Sequence, residues 1–161
     1  MTSSITFELL HRKGFQTDLI KVADRLSLDF VVDGQSLYTL LMEGADLGDR
    51  MGAFVSDRPR ENLAARAVLL LRRRDPDLKT RAMLYICPEC GDIQCGAMTV
   101  EITKTGNTYT WQNFAYEGYP GDDLFEHLTF PEIGPFTFRA EDYERLIERA
   151  PAMVELCGLV H

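Results

Sequence analysis

Apolar and polar residues alternate over "ITFELLH" (5–11), where Ile5, Phe7 and Leu9 share one face, as a half-buried strand requires. The same period returns in "LSLDFVVDG" (26–34), with Leu26, Leu28, Phe30 and Val32 on one face and a turn at Asp33-Gly34. The period then lengthens. In "QSLYTLLMEG" (35–44), Leu37, Leu40 and Leu41 fall at i, i+3 and i+4, which predicts a short helix leaving at Gly44. Residues 45–60 are rich in Gly, Asp, Arg and Pro and read as loop. "ENLAARAVLLLRRR" (61–74) carries Leu63, Ala67, Leu70 and Leu71 at helical spacing and ends at Asp75-Pro76; a buried strand over "AVLLL" is the alternative.

The second half reads mostly as strand. "AMLYICP" (82–88), "GAMTVEITK" (96–104) and "YTWQNFAYE" (109–117) predict a three-stranded antiparallel meander, its second turn at "TGNT" (105–108). The strand at 109–117 would leave a sheet edge on which a second copy could pair. "LFEHL" (124–128) suggests one helical turn, and "PFTF" (135–138) a short strand. "AEDYERLIERAPAMVEL" (140–156) is amphipathic, with Tyr143, Leu146, Ile147 and Met153 as its stripe and Pro151 expected to kink or end it. The sum is a single α+β domain over 1–161, an antiparallel sheet with helices packed on one face.

Composition adds class. With 161 residues, 45% hydrophobic and 26% charged, the chain can bury a core without staples. No apolar run approaches a membrane span, and the start lacks the basic-then-apolar pattern of a signal peptide, so the expectation is a cytoplasmic protein without a membrane partner. The net charge of −8 argues against nucleic acid, whose phosphates call for a basic face. Charge is also uneven. Arg58, Arg60, Arg66, Arg72, Arg73 and Arg74 form a basic middle, and acids dominate from Glu117 onward. An acidic surface of this kind steers a basic protein partner.

Candidate chemistry gathers at "CPECGDIQC" (87–95), which holds three of the four cysteines at the first turn of the meander. Three readings stand beside one another. The first is zinc: Cys87-Pro88-Glu89-Cys90-Gly91 has the shape of a zinc knuckle, Cys95 supplies a third thiolate, and a fourth ligand comes from Asp92, His127, Cys157, His11 or His161. No second C-x-x-C is present. The second is redox: C-x-x-C chemistry needs an activated thiol, yet no helix N-terminus is predicted beside Cys87, and Glu89 and Asp92 would raise thiol pKa values. The third is structural: cysteine packs as a small hydrophobe at the base of a hairpin.

"LYICPECGDIQCGAMT", then "YTWQNFAYE" with Trp111 and Phe114, then "IGPFTFRAEDYERLI" resemble a family of small bacterial proteins. Its members carry a C-P-x-C-G-D-x-x-C-G-A hairpin, a W-x-x-F strand and a late G-P-F-x-F segment entering a C-terminal helix. "LDFVVDGQSLYTLL" fits the same pattern, and residues 50–80 fit it least. The resemblance implies a shared fold and an oxidoreductase label, and it carries over no catalytic residue.

No glycine-rich phosphate loop, nucleophile elbow or H-E-x-x-H is present. His127, beside Asp122, Asp123 and Glu126, is a candidate metal ligand or base. Trp111, Tyr116 and Tyr119, with those three acids, form a candidate partner-binding patch. Two functions follow. One is a non-enzymatic, acidic, protein-binding module, such as an immunity or inhibitor protein against a basic toxin domain. The other is a zinc- or thiol-dependent enzyme built on Cys87, Cys90 and Cys95.

Overall fold

A computed structural model describes residues 1–43, 49–76, 78–91, 95–118 and 128–160. β1 (Ile5–Arg12) leads through a small separate hairpin, β2 (Phe15–Gln16) and β3 (Lys21–Val22), into β4 (Arg25–Val32). β1 and β4 pair antiparallel along their whole length, with Phe7 opposite Phe30 and Leu9 opposite Leu28. Leu28, Phe30 and Val32 are buried as the alternation predicts, but Ser27, Asp29 and Val31 are buried as well. β4 is therefore covered on both faces. Its carboxylate at Asp29 is met by the hydroxyls of Tyr85 and Ser36 and by the amide of Tyr38, as a buried charge requires. Leu9, expected on the core face, is exposed, because β1 is the edge of this sheet.

After the Asp33-Gly34 turn, β5 (Gln35–Ser36) pairs back onto β4 and opens α1 (Leu37–Met42). Ser36 caps that helix by accepting from the amide of Thr39 at 3.1 Å. The loop expected over 45–60 contains more order than its Gly, Asp and Arg content suggests. Met51, Ala53, Phe54 and Val55 are all buried. There β6 (Met51–Gly52) pairs with β7 (Arg81–Ile86), and the next residues cross to β4. The amide of Ala53 donates to the carbonyl of Leu84 (2.9 Å), that of Leu28 to Phe54 (3.1 Å), and that of Ser56 to Leu26 (2.9 Å). Residues 51–56 thus stitch the N-terminal sheet to the larger one.

α2 (Pro59–Leu69) begins with proline in its first turn, where the missing N–H costs nothing. It stops at Leu69, so "AVLLL" is the end of a helix rather than a strand. Antiparallel pairing of β7, β8 (Ala97–Thr105) and β9 (Thr108–Glu117) forms the predicted meander. β9 is not an edge. β10 (Leu128–Thr129) and β11 (Phe136–Arg139) both pair with its far side, which leaves no room there for a second copy. Of the expected turn at 124–128, only Leu128 lies among the described residues, and it opens a strand.

α3 (Ala140–Val160) runs straight through Pro151 in its hydrogen-bonding pattern, against the expected break. Proline forfeits one backbone bond there, and a buried stripe of Tyr143, Ile147, Ala150 and Val154 on both sides of it holds the helix to the sheet. The stripe meets the aromatic centre of the core. Trp111 is edge-on to Phe30 (5.5 Å), Phe138 (5.3 Å) and Tyr143 (5.9 Å). Its indole N–H donates to the Tyr143 hydroxyl (3.2 Å), which donates to the carbonyl of Leu69 (2.6 Å). Among the described residues, the antiparallel sheets and three helices make an α+β fold.

Candidate metal centre

The cysteines sit where β7 ends and β8 is about to begin. Cys87 follows the buried Ile86 directly and is itself only 9% exposed, whereas Cys90 and Cys95 are exposed. The chain turns back at once: the amide of Gly91 donates to the carbonyl of Cys87 at 2.9 Å. Gly91 takes φ +66°, and a Cβ there would stand 2.7 Å from Nη1 of Arg58, so the turn needs glycine on both counts. The fold of this turn directs the amides of Cys90 and Glu89 at the sulfur of Cys87.

All three sulfurs lie within 4.8 Å of one another. Cys90 and Cys95 approach to 2.8 Å. Thiolates bound to zinc at about 2.3 Å stand roughly 3.8 Å apart at the corners of a tetrahedron. The observed cluster brackets that value, and its all-sulfur donor set suits a soft or borderline cation. Among the described residues, no fourth His, Cys, Asp or Glu atom joins the group. His11 belongs elsewhere, 3.7 Å from Asp24, and Cys157 is on α3. His127, Asp92 and His161 lie outside the described residues.

The thiols are electrostatically unequal. Burial opposes ionisation of Cys87, but the amides of Cys90 and Glu89, with the thiols of Cys90 and Cys95, outweigh it and hold its pKa below the usual thiol value. Cys95 is pushed up to about 12, first by its hydrogen bond with Cys90, then by burial and by Cys87. The carboxylate of Glu89 is paired with Arg12 at 2.8 Å, which holds its pKa low.

A frame of arginines around the hairpin was invisible in the sequence. Arg12 reaches Glu89, and Nε of Arg25 donates to the carbonyl of Pro88 at 3.0 Å. Arg58 packs over Gly91, and Arg50 donates to the carbonyl of Cys95 at 2.9 Å and to the hydroxyl of Tyr116. The guanidinium of Arg50 also lies 5.3 Å from the Tyr116 ring centroid, a cation–π contact. Positions 12, 25, 50 and 58 have no pattern in common. Only the pairing of β1 with β4 and the stitch at 51–56 bring them to one place. Two of its members act on the backbone: Arg25 holds the carbonyl of Pro88 and Arg50 that of Cys95.

Of the expected partner-binding patch, only Trp111 and Tyr116 lie among the described residues: Trp111 is fully buried against Phe30, Phe138 and Tyr143, and Tyr116 nearly so, against Arg50 and Gly96. Asp122, Asp123, Glu126 and Tyr119 lie outside the described residues. Several of the late acids are paired within the chain. Glu148 meets Arg66 (3.8 Å) and Arg72, Glu144 meets Lys104 (3.6 Å), and Glu117 meets Arg81 (3.3 Å). The basic middle and the acidic tail of the sequence thus face each other in part, across α2 and α3.

No family model, curated protein or solved structure matches the chain. Among the described residues, no helix is long and apolar enough to cross a membrane.

Proposed function

We propose that the chain is a zinc-binding protein in which Cys87, Cys90 and Cys95 supply three thiolates and a further group completes the tetrahedron. One observation carries this: three sulfurs within 4.8 Å, with two backbone amides directed at the most buried of them. Amide-to-sulfur hydrogen bonds are what a knuckle supplies to keep a thiolate ionised, and packing alone has no need of them. Bound there, zinc would tie the end of β7 to the start of β8 and contribute its binding energy to folding.

The test is elemental analysis of protein purified without added metal, followed by cobalt substitution. One zinc per chain and intense thiolate-to-cobalt charge-transfer bands are expected. X-ray absorption at the zinc edge should count three sulfurs and one lighter atom. Cys90→Ser should weaken zinc binding at least tenfold. A chain that purifies without metal and binds added zinc no better than Cys90→Ser overturns the proposal.

A second reading, protein binding without catalysis, draws on the β2–β3 hairpin. Thr17 fixes its turn by accepting from the amides of Leu19 (3.2 Å) and Ile20 (3.1 Å). That turn presents Leu19 at 94% exposure beside the exposed Ile20 and Phe15. An ordered turn with an apolar tip is a contact surface in waiting. A basic toxin domain encoded beside this chain is the partner to try. Leu19→Asp should abolish co-purification with it, and unchanged binding would remove the hairpin from the reading.

A further inference from the structure

The three thiols differ in access. Cys87 is sunk at the end of β7, with its sulfur engaged by two amides. Cys90 and Cys95 are exposed, their sulfurs only 2.8 Å apart. The backbone beneath them is held: Cys95 by Arg50 and Tyr116 through its carbonyl, the Cys90 side by the turn at Gly91 and by Arg25 on Pro88. A disulfide needs about 2.05 Å between sulfurs and side chains that point at each other. Here a shift of less than an ångström in two short, accessible side chains meets the distance.

We propose that Cys90 and Cys95 form an oxidation site inside the metal centre: a peroxide joins them in a disulfide, and loss of two of the three thiolates discharges the metal. This rests on the zinc reading above. The chemistry balances with hydrogen peroxide as oxidant. One sulfur attacks a peroxide oxygen; the O–O bond breaks, and the departing hydroxide takes a proton to become water. The sulfenic acid so formed is attacked by the second sulfur. An S–S bond forms, the S–O bond breaks, and the second hydroxide leaves as water with a proton from solvent, as the first does. Two thiolates are oxidised by two electrons, and one peroxide with two solvent protons is reduced to two waters. Cys87 remains as a single thiolate, too few to retain zinc. Cys157 takes no part, since it sits on α3 outside the cluster.

The experiment treats the protein, as purified, with hydrogen peroxide. It follows zinc with a chromogenic chelator and maps disulfides by mass spectrometry of unreduced peptides. Zinc release should match the loss of two thiols, and the link should join Cys90 to Cys95. Dithiothreitol with added zinc should restore the starting state. Cys87→Ser, which weakens metal binding, should still form the link. A wild-type link to Cys87, to Cys157 or between chains overturns the inference, as does zinc release without a Cys90–Cys95 link. A chain that holds zinc and resists peroxide sinks the switch and leaves the zinc reading standing. A metal-free chain that still forms the link retires the zinc reading, and the discharge with it.

Discussion

Asn62 shows how much one side chain can hold. It is fully buried at the start of α2, and its amide pairs with a backbone as a strand would. Oδ1 accepts from the N–H of Val55 (2.9 Å), and Nδ2 donates to the carbonyl of the same residue (2.8 Å). Asn62→Ala strands both groups without water. The expected loss is about 2–5 kcal/mol, one unsatisfied-group penalty for each, read from urea unfolding. A loss under about 1 kcal/mol would show that the segment relaxes to find other partners. Nothing in the sequence marked this asparagine, because a polar residue between Glu61 and Leu63 reads as solvent-facing until its neighbours are known. The cysteines were legible for the opposite reason. Their chemistry is local, and C-P-x-C-G specifies its turn within five residues. The arginines that brace that turn come from four distant positions, and no local pattern announces them.

Among the elements, the strands with clean alternation were the most legible, since a one-residue error would invert their faces. β8 and β9 fall within a residue or two of where their period puts them. β6 was hidden in a stretch whose Gly and Asp content signals loop, although Met51, Ala53, Phe54 and Val55 held the apolar signal. α3 was legible in its stripe but not in its length. Local rules end a helix near Pro151, and tertiary packing of Tyr143 and Val154 overrides them. That override has a cost, because the proline leaves the carbonyl of Ile147 without its usual amide. Pro151→Ala should therefore stabilise the protein by about 1–2 kcal/mol, raising the urea midpoint with no change in slope. The gain is less than the full helix-propensity difference, since proline also restrains the unfolded chain. Destabilisation would mean that the ring's own packing outweighs the missing bond.

For the whole molecule, the aromatic core links stability to alkaline pH. Burial raises the phenol of Tyr143 far above its ordinary value. Burial, then the charge of Asp29, does the same for Tyr85. Tyr109 is pushed up to about 12, by burial and by its hydrogen bond to Glu144. The folded chain keeps these protons above pH 10, where the unfolded chain releases them. The unfolded state then binds fewer protons, so stability falls as pH rises. The slope is about 1.4 kcal/mol per pH unit for each of Tyr85 and Tyr143. Unfolding in strong base should be accompanied by a step in tyrosinate absorbance at the same midpoint. A gradual rise in absorbance that precedes unfolding would show that these phenols ionise in the folded state. The α+β class and the antiparallel meander were readable at this scale from period alone. The joining of two sheets was not, because it rests on backbone bonds between residues 26 to 31 positions apart.

That join has a consequence for how the molecule comes apart. The amides of Leu28, Ala53 and Ser56 tie β4 to the segment after β6, and that segment to β7. Breaking either sheet therefore breaks the other's boundary, and the described residues show no seam along which half of the molecule can open. Native-state hydrogen exchange should find these three amides in the slowest class, exchanging with the amides of β8 and with one common denaturant dependence. The hairpin at Thr17 to Ile20 should exchange faster by orders of magnitude. Earlier release of Leu28 or Ser56 would reveal two cooperative units where the hydrogen bonding specifies one.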